Sequence, residues 1–140
     1  MKLIEQVLSG GPAVVAEAML PRLFTAESFE RVPGAVEFVR ERILLSSSEG
    51  IAAALRGLAE RPDMSGLLAQ LRLPTLVIAG SDDVITPESE MRQMASAIPD
   101  SQFVVLSGVG HLTAVEGPVE FNAQLARFLA QRAGAMAPAG

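Results

Sequence analysis

Apolar positions recur at helical spacing in the first half of the chain and fall in short unbroken runs in the second. Leu3, Ile4, Val7 and Leu8 form an i, i+1, i+4, i+5 stripe that stops at Gly10-Gly11-Pro12. Val14, Val15, Ala18 and Met19 begin a second stripe, expected to end near Pro21, where the ring removes a helix hydrogen bond. A third starts at about Pro33 and carries Val36, Val39 and Ile43, with Phe38 flanking it. Ser46, Ser47 and Ser48 then predict a break and an N-cap before the helix-forming run from Glu49. Asp63 is placed to cap a short helix ending near Leu71. Residues 74–80 instead read Pro-Thr-Leu-Val-Ile-Ala-Gly, a β-branched run bounded by breakers, which predicts a strand buried on both faces. Pro87, with Thr86 as its cap, predicts a helix through Met91, Met94, Ala95 and Ile98. A second buried strand is expected over 102–106, and a last helix from Pro118 carries Phe121, Leu125, Phe128 and Leu129.

Strand–helix–strand–helix at this spacing predicts an α/β unit with two parallel strands and a right-handed crossover. The expected organisation is a helical segment over 1–72, a core unit over 73–133 and a disordered Ala/Gly tail over 134–140. The Pro and Gly breaks among the short helices suit a lid or cap better than a rigid bundle.

Length adds little, since 140 residues is the size of one domain. Composition adds more. Hydrophobic residues make up 49% and charged residues 19%, yet no stretch supplies the roughly 18 uninterrupted apolar residues of a membrane span. This excess leaves two options: an unusually complete core, or surface meant to be covered by something else. The absence of cysteine excludes disulfides, thiol nucleophiles and thiolate metal sites, and one histidine excludes a His-rich metal cluster. A net charge of −5, with no Trp or Tyr, argues against nucleic-acid binding. Acidic Glu5 interrupts any leader-like apolar stretch near the start, so a cytoplasmic protein is expected, with no cofactor indicated.

Functional residues of open parallel sheets lie on loops beyond the carboxyl ends of the strands. Two such loops are expected here, one bearing Asp82 and Asp83, the other His111 between Gly110 and Leu112. A carboxylate and an imidazole so placed can pair, the acid orienting the ring so that its second nitrogen acts as general base. Gly108 and Gly110 would let the backbone turn sharply and present the ring. The plainer alternative makes Asp82 and Asp83 turn formers that bond nearby amides. A metal site from Asp82, Asp83, Glu88 and Glu90 matches no calcium-loop spacing and ranks well below the Asp–His reading.

Leu73-Pro-Thr-Leu-Val-Ile-Ala-Gly-Ser-Asp-Asp-Val-Ile-Thr-Pro87, then Val109-Gly-His-Leu, then Glu116-Gly-Pro-Val-Glu-Phe121, closely resembles the C-terminal part of α/β-hydrolases. In that family a strand ends in Gly-x-x-Asp-x-x-x-Pro, whose Asp is the triad acid; the resemblance assigns that role to Asp83. The family's Gly-x-Gly-His carries the triad base and falls on His111. Glu116 and Phe121 match a Glu-x-Pro-x-x-Phe pattern implied to be structural, while Thr113 stands where proline or serine is usual. Upstream, Met19-Leu-Pro, Glu49-Gly-Ile-Ala-Ala-Ala-Leu-Arg-Gly and Arg61-Pro-Asp63 resemble the helical cap of 3-oxoadipate enol-lactone hydrolases and related carboxylesterases.

The resemblance implies a serine in a G-x-S-x-G elbow ahead of the cap, and no G-x-S-x-G occurs in these 140 residues. The chain therefore looks like a truncated α/β-hydrolase: cap, acid, base and last two strands. Ser81 and Ser107 lie on the right loops to substitute, but neither sits at a strand-to-helix elbow, and Ser46, Ser47 and Ser48 read as caps. Two hypotheses follow. One is a hydrolase of a small ester or lactone, weak or partner-dependent, using Asp83 and His111. The other is a non-catalytic interaction module in which both are relics. A two-stranded sheet has unpaired edges on both sides, so a homodimer or higher homo-oligomer is expected in either case. Leu20, Leu23, Phe24, Phe38 and Leu44 are candidates for an apolar cap lining.

Overall fold

A computed structural model describes residues 2–135. Two compact units divide between Asp63 and Met64. The first is wholly helical: α1 (Lys2–Gly10), α2 (Pro12–Leu23), α3 (Ser28–Arg31), α4 (Pro33–Leu44) and α5 (Ser48–Glu60). Its core is small. Val7, Val15 and Ala52 are buried, with Leu3, Ile4, Met19, Ile43 and Ile51 packed against them. The stripe on α1 thus delivers Val7 to the interior while Leu8 stays half exposed.

Helix ends account for the serine cluster. Ser47 caps α5, its side chain accepting the Gly50 N–H at 3.0 Å, and Ser46 donates back to the Arg42 carbonyl at the end of α4. The expected stop at Pro21 is corrected: α2 runs through that proline to Leu23. Pro21 lies in the last turn, where its missing N–H removes one bond to the preceding turn without ending the helix, and the Phe24 N–H closes the helix on the Leu20 carbonyl at 3.1 Å. Of the proposed lining residues, Leu20 and Phe24 are buried, whereas Phe38 and Leu44 are exposed.

The second unit opens with a 3-10 helix (Ser65–Gln70), followed by β1 (Thr75–Gly80), α6 (Glu88–Ala97), β2 (Ser101–Leu106), α7 (Thr113–Glu116) and α8 (Pro118–Ala135). Helical character therefore extends to Gln70, but Leu68 packs with Val77, Ala95 and Ile98 and so joins the core around the sheet. Met64, not Asp63, takes the N-cap position of that helix. The strands run parallel, with Thr75 opposite Ser101 and Gly80 opposite Leu106. In-register pairing ends both strands at the same edge, and the loops 81–87 and 107–112 leave from there side by side.

Burial of the strands is less complete than the apolar runs predict. Val77, Ala79 and Gly80 of β1 are buried, but on β2 only Leu106 is, the rest being half buried. A sheet of two strands has no neighbour to cover their outer sides. Large apolar side chains also stand in solvent, Leu73 at 73% and Val119 at 84% exposure among them. The high apolar content thus goes partly to surface. Among the described residues no helix is long and apolar enough to cross a membrane. Most of the tail expected to be disordered, residues 136–140, lies outside the described residues.

Candidate active site

The loop after β1 is built around one carboxylate. Asp83 Oδ1 accepts the Ile85 N–H at 2.8 Å and the Thr86 N–H at 3.0 Å, an Asx-type turn closed by its own side chain. Oδ2 accepts the Thr86 hydroxyl at 2.6 Å and lies 2.9 Å from His111 Nδ1. Asp83 is therefore both the turn former and the partner of the histidine. Its side chain is 5% exposed, that of His111 32%. Burial alone would raise the Asp83 pKa. The hydrogen bonds outweigh it, led by the Thr86 hydroxyl and N–H and followed by His111 and Ile85, and hold it down at about 2.

At neutral pH Asp83 is thus ionised and can only accept, so Nδ1 must carry the hydrogen that joins them. In the neutral imidazole this leaves Nε2 with a lone pair. No hydrogen bond engages Nε2 among the described residues.

Thr86 is not a helix cap, correcting the expectation. The helix begins at Glu88 with Pro87 at the N-cap position, where no side-chain cap forms. A residue before proline is pushed to extended backbone, and Thr86 turns its hydroxyl back to Asp83 instead. Its role was missed in the sequence; the spacing Asp-x-x-Thr, which fits an Asx turn, is the signal that would have found it.

The histidine loop is fixed from elsewhere. Asp82 donates its N–H to the Val109 carbonyl at 3.1 Å, and Ser81 donates its own to Leu106 at 2.9 Å. Gly80 makes this approach possible: a Cβ there would meet the Gly110 carbonyl oxygen at 2.2 Å and that of Val109 at 2.3 Å. Gly108 takes φ +68°, the left-handed region, as the turn expectation requires. Gly110 donates its N–H to Oε1 of Glu116 at 2.8 Å, and Glu116 is 1% exposed. The residue next to the histidine is thereby anchored to a buried carboxyl.

The remaining candidates take other duties. Ser81 Oγ accepts the Gly108 N–H at 2.9 Å and donates to Asp82 Oδ2 at 2.9 Å, so it ties the two loops together. Glu88 pairs with Arg92 on α6. Asp82, Asp83 and Glu88 thus face different partners, and no group of three potential metal ligands converges among the described residues.

Residues 33–118 match the model of the alpha/beta hydrolase fold family. The chain is 33% identical over 129 residues to a protein of Escherichia coli O81 (strain ED1a) named as the carbamate hydrolase RutD, covering 90% of this chain and 48% of that one. Among solved structures, a thermophilic esterase from Thermogutta terrifontis superposes with a TM-score of 0.87 at 42% identity, over 93% of this chain and 48% of the esterase. An enol-lactonase from Burkholderia xenovorans LB400 does so with a TM-score of 0.84 at 27% identity, over 91% and 48%. The chain spans about half the length, or less, of the curated relatives it matches. Two parallel strands with an acid loop and a histidine loop at one edge, together with the match over residues 33–118, make this chain a member of the α/β-hydrolase fold family.

Proposed function

We propose that the chain carries the acid and base of a hydrolase acting on small carboxylic esters or lactones. The observation that carries this reading is the 2.9 Å bond between Asp83 Oδ2 and His111 Nδ1, with the carboxylate held on both oxygens. In the proposed step, His111 Nε2 takes the proton from a hydroxyl as its oxygen attacks the substrate carbonyl. The imidazolium, stabilised by Asp83, then returns that proton to the departing alkoxide. Similarity to an esterase and an enol-lactonase supports the substrate class.

On this reading neither Ser81 nor Ser107 is the attacking group. Ser81 is engaged with Gly108 and Asp82, and the sequence contains no G-x-S-x-G. The nucleophile is either water, giving weak turnover, or a serine brought by another polypeptide segment. Removal of a general base costs roughly 10²–10⁴-fold. Hydrolysis of p-nitrophenyl acetate should therefore fall by about that factor in His111→Ala and substantially in Asp83→Asn; equal rates in all three proteins would overturn the reading. A fluorophosphonate probe should leave the chain unlabelled.

Exposed apolar side chains and uncovered strands favour a second reading, a non-catalytic homo-oligomeric module. In both readings we propose a homodimer or higher assembly. Size-exclusion chromatography with light scattering at micromolar concentration tests it, and a monomer would count against it.

A further inference from the structure

We infer that Thr86 is a positioning residue that holds the Asp83 carboxylate and reinforces its choice of which nitrogen of His111 carries the hydrogen, an assignment that rests on the Asp83–His111 reading. Thr86 Oγ1 lies 2.6 Å from Asp83 Oδ2 and 3.4 Å from His111 Nδ1, so three polar atoms meet at one point. The carboxylate accepts only, so the Thr86 hydroxyl has to spend its one hydrogen on Oδ2. Its oxygen then shows nothing but lone pairs toward the ring. Both atoms facing Nδ1 are acceptors, and the tautomer with the hydrogen on Nδ1 and a bare Nε2 is the one that fits.

The hydroxyl also completes the hold on Asp83. Two backbone N–H groups fix Oδ1, and the Thr86 hydroxyl and the His111 ring fix Oδ2, so the carboxylate cannot swing its shared oxygen away. The titratable neighbours of Asp83 are His111 itself and Asp82, whose side chain turns to the Ser81 hydroxyl instead. Losing the Thr86 hydroxyl would remove one charge-assisted bond from Oδ2. It would also leave an apolar surface beside Nδ1 on one side.

The test uses the whole 140-residue chain and nuclear magnetic resonance, without reference to turnover. In Thr86→Val the Asp83 carboxyl should titrate about one to two pH units higher, the size of one charge-assisted hydrogen bond. Imidazole nitrogen shifts at pH 8 should show a growing share of the tautomer with hydrogen on Nε2. Thr86→Ser, which keeps the hydroxyl, should restore both signals. An unmoved Asp83 titration in Thr86→Val, or a serine variant that behaves like valine, would overturn the assignment. In the wild type the Thr86 hydroxyl proton should be visible and protected from exchange; rapid exchange overturns the assignment whether or not the valine variant folds. Failure of ester hydrolysis with these signals intact would strike the catalytic reading alone.

Discussion

The two loops at the end of the sheet are held in opposite ways. The acid loop is self-contained: Asp83 bonds to amides two and three residues ahead and to the hydroxyl of Thr86. The histidine loop borrows its shape. Its Gly108 N–H goes to Ser81, its Val109 carbonyl to Asp82 and its Gly110 N–H to Glu116. A carboxylate can therefore be aimed by a short peptide turn, whereas the ring 28 positions away is aimed only once both strands are paired. Damage to the shared seam should release the histidine loop first and leave the acid loop ordered.

The strongest challenge to that contrast is Gly80→Ala, which drives a methyl into the carbonyls of Val109 and Gly110. It should destabilise by about 3 kcal/mol in urea unfolding. Amide exchange should accelerate at 108–111 while Ile85 and Thr86 stay protected. Uniform acceleration in both loops would show that they form one cooperative piece.

Glu116→Ala removes the buried acceptor for Gly110 and should cost about 2–3 kcal/mol, with the same selective loosening. Glu116→Gln keeps an acceptor and should recover most of the loss. Equal effects of the two variants would mean that charge, not the bond to Gly110, anchors the loop.

Acid acts on the other member of the pair. The folded Asp83 pKa lies at about 2, below the ordinary 3.8, so its stabilising contribution is complete above about pH 4 and fades as pH falls through 2. The whole contribution is about 2 kcal/mol, and Asp83→Asn should flatten the stability profile in that window. A wild-type profile already flat between pH 4 and 2 would contradict the hydrogen-bond set on the carboxylate.

The finest distinction comes from Ser81→Ala and Gly108→Ala. The first removes the side-chain bond between loops; the second forces a side chain into the left-handed region. Each should cost about 1 kcal/mol, read from the urea midpoint. Neither should change the Asp83 titration, since the acid loop carries its own supports.

Much of this was legible in the residues. The unbroken run 74–80 and its echo at 102–106 specify strands because β-branched apolar residues fit a pleated, buried surface. Ser47 before Glu49 and Gly50 specifies a cap, since a hydroxyl there reaches an N–H three residues on. An Asp–His pair was legible from the order of strand, loop, strand and loop, and the resemblance to α/β-hydrolases picked Asp83 over Asp82 for it. Pro21 misled because a proline signals the end of a helix without saying whether the last turn continues past it. Thr86 misled because one hydroxyl before Pro87 had two acceptable partners, the helix start and the carboxylate behind it.

Sequence by itself determined both strands and most of the helices, and marked Asp83 and His111 as partners on neighbouring loops. Those elements rest on local hydrogen bonds and on periodicity within one element. Tertiary structure alone decided that Glu116 is buried under Gly110, that Ser81 ties two loops and is spent, and that β2 remains half uncovered. Each depends on which surfaces meet when Gly80 comes against Val109 and Gly110. Close approach of distant backbones is fixed by packing and strand register, which no local spacing encodes.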